Sequence, residues 1–116
     1  MMQRLSIVLP TYNERDNVGP ILDQLLPLSD RYELEILFVD DDSADGTADA
    51  VLELAHRHRC VRLIRRVGRC GLSSAIKEGI LDATGELVLV MDSDGQHEPA
   101  AVARTVDTCL LYTSDA

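Results

Sequence analysis

Four short aliphatic runs, separated by segments of helical period, restrict the fold open to this chain more than any other feature. They are RLSIVLP (4–10), ELEILFVD (33–40), VRLIR (61–65) and ELVLVMD (86–92). Each has the length of a strand and is continuously rich in Val, Ile and Leu, as strands buried on both faces are. Between them the apolar period changes. Residues 16–26 carry Val18, Ile21, Leu22 and Leu25 as one stripe, with Pro20 tolerable only in a first turn. Residues 46–58 place Ala48, Val51, Leu52 and Ala55 on one face. Residues 72–83 point Ala75, Ile76 and Ile80 inward, with Gly85 following as a stop. Strand and helix in this alternation make βαβ units with right-handed crossovers. The predicted class is α/β: a three-layer, Rossmann-like parallel sheet with helices on both faces.

At 116 residues the chain is one domain. It has one Phe, three Tyr and no Trp, so the core must be aliphatic. A net charge of −9 argues against nucleic acid and against anionic lipid as partners. No apolar run approaches the ~18 residues of a membrane span. The opening MMQRLSIVLPTYNE is too short in apolar residues for a signal peptide, so the expected location is cytoplasmic. Cys60, Cys70 and Cys109 read as reduced thiols. His56, His58 and Cys60 form H-x-H-x-C, which reads as a helix end entering a strand, because a second ligand pair for zinc is missing.

In a parallel sheet of this kind ligands sit beyond the carboxyl ends of the strands, and the polar motifs of this chain all fall there. After the fourth run come Asp92 and Asp94 in DSDGQH. Two carboxylates at that spacing suit a divalent cation that completes its shell with a substrate's phosphates; the plainer alternative is an acidic helix start. After the second run, DDDSADGT places Asp40 and Asp41 at the strand end, where they can accept hydrogen bonds from a nucleobase or a ribose. Ser43 or Asp45 is expected to cap the next helix. After the first run, PTYNE offers Tyr12 to lie against a base and Glu14 to bind a sugar hydroxyl or a base edge, with Asn13 as a helix cap. After the third, RRVGRCGLSS carries Arg65, Arg66 and Arg69, which either meet phosphate charge or balance nearby acids.

Taken together, LPTYNERDNV, VDDDSADGT, GLSSAIKEG and MDSDGQHEP resemble the nucleotide-sugar half of family 2 glycosyltransferases with a GT-A fold. Within that family the chain looks most like the dolichol- or polyprenyl-phosphate mannosyltransferases. The motifs cover most of residues 5–99. The resemblance implies that Pro10, Tyr12, Glu14, Val39 and Asp41 hold the nucleoside. It makes Asp92, Ser93 and Asp94 the Asp-x-Asp motif, with Gln96 a further metal or phosphate contact. It implies Mg²⁺ or Mn²⁺ as cofactor and GDP-mannose as donor, with a UDP-sugar as the other choice. The implied reaction transfers the sugar to a polyprenyl or dolichyl phosphate with inversion, the full-length protein working at the cytoplasmic face of a membrane. One departure is Asp42, where many relatives carry Gly; Asp also tolerates tight turn geometry.

The resemblance further implies an acceptor-binding half beyond residue 116. The expected domain is therefore residues 1–108, the donor half of a truncated enzyme, not competent in transfer alone. Residues 109–116, CLLYTSDA, break the helical spacing and read as a translated adapter tail. Two other readings remain: a signalling receiver domain, whose acid pair would follow the first strand and not the second, and a non-catalytic nucleotide-binding module.

Overall fold

The computed structural model describes residues 2–68 and 71–91. In order these form β1 (Arg4–Thr11), α1 (Arg15–Leu25), a 3₁₀ turn (Leu26–Asp30), β2 (Glu33–Asp40), α2 (Thr47–Arg57), β3 (Val61–Arg65), α3 (Leu72–Asp82) and β4 (Leu87–Val90). All strand pairs are parallel and the sheet order is β3-β2-β1-β4. The register sets Ile7 beside Ile36 and Leu89, and Ile36 beside Val61. The chain steps outward from β1 to β3 through α1 and α2. Then α3 returns it across the opposite face to β4, on the far side of β1. A receiver domain would place β3 beside β1; here β3 lies beside β2.

Alternation along the strands divides the core between the two faces. Leu5, Ile7, Leu9, Ile36 and Phe38 meet Val18, Ile21, Leu22 and Leu25 of α1 and Val51 of α2. Each of these buried apolar side chains stabilises by on the order of 2 kcal/mol. On the other face Val8, Leu37 and Val39 meet Ala75 of α3. That layer is thin because α3 packs through small residues. A Cβ on Gly79 would stand 2.4 Å from Val8 Cγ1 and 3.1 Å from Val39 Cγ2. Ala75 and Gly79, four residues apart, form the contact line. Ile80, expected inward, is turned about 100° from Gly79 and is 44% exposed. Leu52, also expected inward, is 46% exposed, because Ala48 and Val51 already face the sheet.

Candidate functional site

The ends of β1 and β2 are tied together before any ligand is considered. Asn13 and Asp42 both adopt left-handed backbone, at φ 54° and 55°, a conformation that Asn and Asp tolerate better than most residues. Asn13 does not cap α1. The N-cap is Glu14, without a side-chain cap bond, and Asn13 instead accepts from the Ala44 N–H at 3.2 Å while its own N–H donates to Ser43 Oγ at 2.8 Å. The free N–H groups at the start of α1 are served from the second loop. Glu14 N–H donates to Thr47 Oγ1 at 3.0 Å and Arg15 N–H to Asp45 Oδ2 at 3.1 Å. Asp45 also accepts from the Thr47 N–H at 3.0 Å and from the Thr47 hydroxyl. That hydroxyl, with the backbone donors and against some desolvation, holds the Asp45 carboxyl below its usual range.

The adjacent acids Asp40 and Asp41 have separate roles. Asp40 is fully buried; it accepts from Thr11 Oγ1 at 2.8 Å, from Ser43 N–H at 3.0 Å and from Ser43 Oγ at 2.6 Å. It is a staple between the two loops and is not presented to a ligand. Asp41 turns the other way, accepting from Arg66 Nη1 at 2.9 Å and from the Gly71 N–H at 3.0 Å. It lines a pocket of about 430 Å³ at the carboxyl end of the sheet. Pro10, Thr11, Tyr12 and Glu14 supply the β1 wall of that pocket, and Gly71, Leu72 and Ala75 its α3 wall. Tyr12 is 64% exposed at the site.

Four of the five residues assigned to the nucleoside, Pro10, Tyr12, Glu14 and Asp41, therefore stand around one cavity. Val39 does not line it. Its side chain is fully buried with Val8, Leu37 and Ala75, and its carbonyl lies 3.5 Å from Thr11 Oγ1. Of the loop arginines, Arg65 pairs with Asp42 at 3.1 Å on the surface. Arg66 is 1% exposed and bound among protein groups, so it balances acids and does not meet a phosphate. Arg69 lies outside the described residues.

Asp92, Ser93, Asp94 and Gln96 also lie outside the described residues, as do residues 109–116. The chain reaches them through Met91, whose N–H donates to Val8 O at 3.0 Å. Among the described residues, no group of three or more His, Cys, Asp or Glu side chains is set to hold a metal.

A second polar cluster lies at the opposite end of the sheet. Glu35, 2% exposed, accepts from Ser6 Oγ at 2.7 Å and from the Thr84 N–H and Oγ1, both at 2.8 Å. Arg62 Nη1 reaches it at 3.0 Å and Arg4 Nη2 at 3.4 Å. Burial pushes the Glu35 carboxyl up. The Thr84 N–H, the two hydroxyls and Arg62 outweigh it, bringing the value from 4.5 down to about 2. Ser6 Oγ also accepts from the Gly85 N–H at 2.8 Å, so the cluster fixes the entry into β4. A Glu within an aliphatic run was the available signal, but only the β1–β2 register shows that it faces Ser6.

The family model of glycosyl transferase family 2 matches residues 6–110. The dolichol-phosphate mannosyltransferase of Pyrococcus furiosus is 36% identical over 104 residues, covering 90% of this chain and 29% of that protein. The dolichol-phosphate mannosyltransferase of Saccharomyces cerevisiae is 37% identical over 106 residues, covering 89% of this chain and 40% of that one. Among solved structures, a mannosyltransferase from Pyrobaculum calidifontis in complex with GDP-Man and Mn²⁺ superposes with a TM-score of 0.79 at 30% identity. The match covers 96% of this chain and 33% of the other. The chain thus spans between 29% and 40% of the length of these relatives.

Proposed function

Because this chain belongs to glycosyl transferase family 2, we propose that its rim pocket holds the nucleoside of a nucleotide-sugar. GDP-mannose is the favoured donor and a UDP-sugar the second. The observation that carries this reading is the grouping of Tyr12, Glu14 and Asp41 around one cavity at the carboxyl ends of β1 and β2. The GDP-Man seen in the Pyrobaculum relative supports the choice of donor. In this reading the exposed Tyr12 ring stacks on the base. Glu14 and Asp41 are acceptor-only groups, so they take N–H or O–H donors from the base edge and ribose.

The Asp-x-Asp residues follow β4, which lies directly beside β1. Asp92, Asp94 and the amide oxygen of Gln96 are hard oxygen donors, the set that Mg²⁺ or Mn²⁺ takes together with phosphate oxygens. These residues would hold the cation, with Ser93 between the acids contacting the donor. When bound, the cation neutralises the departing diphosphate.

The proposed transfer in the whole protein moves the hexose to a polyprenyl or dolichyl phosphate with inversion. Such an acceptor is already ionised near neutral pH, so it requires positioning more than a general base. The reading puts the whole protein at the cytoplasmic face of a membrane, where a water-soluble donor and a lipid acceptor meet. Among the described residues no helix is long and apolar enough to cross a membrane.

Calorimetric titration of the chain with GDP, UDP and ADP, each with and without Mn²⁺, tests the donor reading. GDP is expected to bind most tightly, UDP next, and both more tightly with Mn²⁺. Equal affinity for ADP, or no heat with either GDP or UDP, would contradict it.

A further inference from the structure

Arg66 is the largest of the fully buried side chains in the described structure, and it bonds to two residues that line the pocket, Asp41 and Gly71. Its contacts join the two walls of that cavity. Nη1 donates to Asp41 Oδ1 at 2.9 Å and to the Gly71 carbonyl at 3.2 Å. Nη2 donates to Ser74 Oγ, and Nε lies 3.3 Å from Glu78 Oε2. Asp41 comes from the end of β2, whereas Gly71, Ser74 and Glu78 belong to the start and body of α3. Asp41 in turn accepts from the Gly71 N–H. One guanidinium therefore sets both the aim of the pocket carboxylate and the gap between that carboxylate and the α3 wall.

A planar fork of five donors can satisfy several fixed acceptors at once, which the compact ammonium of Lys cannot do. The cluster also brings Arg66 against Asp41 and Glu78, two acids whose side chains are only 12% and 26% exposed. Such a group is costly to bury, and among the described residues Nε makes no hydrogen bond of its own beyond the ion-pair approach to Glu78. A surface arginine would have balanced the local acids without that cost.

We propose that Arg66 is a positioning residue for nucleoside recognition: acting through Asp41, it presents that carboxylate's remaining lone pairs to the base or ribose and sets the width of the pocket against Gly71. The inference rests on the rim pocket being the nucleoside site. It requires Arg66 to matter for the nucleoside part of a ligand and not for the diphosphate part.

The test compares GDP binding with binding of inorganic pyrophosphate, both with Mn²⁺, by calorimetry on the full 116-residue chain. Arg66→Lys keeps the charge and loses the fork. It is expected to weaken GDP by about tenfold, the effect of losing a charged hydrogen bond, and to leave pyrophosphate within about twofold. Combined with Asp41→Asn, it should add little to the loss from Asp41→Asn alone, because both act on one contact. If Arg66→Lys does not fold, as judged by circular dichroism, the charge-balanced pair Arg66→Met with Glu78→Gln takes its place, with the same expectation. Wild-type GDP binding that either variant leaves unchanged would overturn the inference alone, as would an equal loss for pyrophosphate. A wild-type chain that binds no GDP would remove the donor reading and this inference with it.

Discussion

Glu35 occupies a position in β2 where an aliphatic side chain would serve the core, and five donor groups around it make the carboxylate tolerable. Its folded value lies below its ordinary one, so its stabilisation is fully present above about pH 4.5 and is lost as the pH falls toward about 2. Glu35→Gln is expected to cost about 2 kcal/mol at pH 7, allowing for the partly exposed arginines. In urea unfolding the difference from wild type should shrink at pH 3; a difference independent of pH would refute the assignment. Asp42 gives a second single-residue test. At φ 55° it sits where L side chains are strained, so Asp42→Gly should change stability by less than about 1 kcal/mol. Asp42→Val, β-branched at the same φ, should cost about 1–2 kcal/mol. The tight turn at Asp42 was legible from its motif. The long-range partners of Glu35, Asp40 and Asp41 were not, because a hydrogen bond between residues 25 to 49 apart depends on strand register and loop path.

The strands and helices were legible to within a residue or two, because continuous aliphatic runs and 3.6-residue stripes are local signals. The second predicted strand, 33–40, coincides with β2, and the third, 61–65, with β3. What those signals cannot show is how closely a helix approaches its sheet. In α3 Ile80 was expected inward with Ala75 and Ile76, yet the backbone itself meets Val8 through Gly79. Two helical glycines therefore carry different expectations. Gly79→Ala should destabilise by about 1–3 kcal/mol, since displacement of α3 outweighs the gain in helix propensity. Gly19→Ala in α1 meets nothing within 4 Å apart from its chain neighbours, but Pro20 follows it inside the helix and the proline ring crowds a Cβ on the residue before it, so the gain in helix propensity should be offset and stability should change by less than about 0.5 kcal/mol. Thermal unfolding of both variants checks the pair; a stabilising Gly79→Ala would mean that α3 stands farther from the sheet.

Across the whole molecule, the sheet order gathers the rim loops at one end of neighbouring strands. β1 lies between β2 and β4, so the loops carrying Tyr12, Glu14 and Asp41 and the segment entering Asp92 leave from neighbouring strands. The class and the rim were readable from sequence because parallel βαβ order fixes which strand ends face the same way. Spacing alone leaves Asp40 and Asp41 equivalent, and only the resemblance singled out Asp41; the physical difference, Asp40 bonded to Thr11 and Asp41 lining the pocket, appears in the structure. In the proposed reading nucleoside and metal–diphosphate are held by separate groups, Asp41 with Glu14 and Tyr12 for one, Asp92 and Asp94 for the other. GDP titration of Asp41→Asn and Asp94→Ala, with and without Mn²⁺, tests it most directly. Asp94→Ala should lose only the Mn²⁺-dependent part of the affinity, and Asp41→Asn should weaken GDP by about tenfold even without metal. Unchanged Mn²⁺-dependent affinity in Asp94→Ala, or a loss in Asp41→Asn confined to the Mn²⁺-dependent part, would mean that the two roles are not divided in this way.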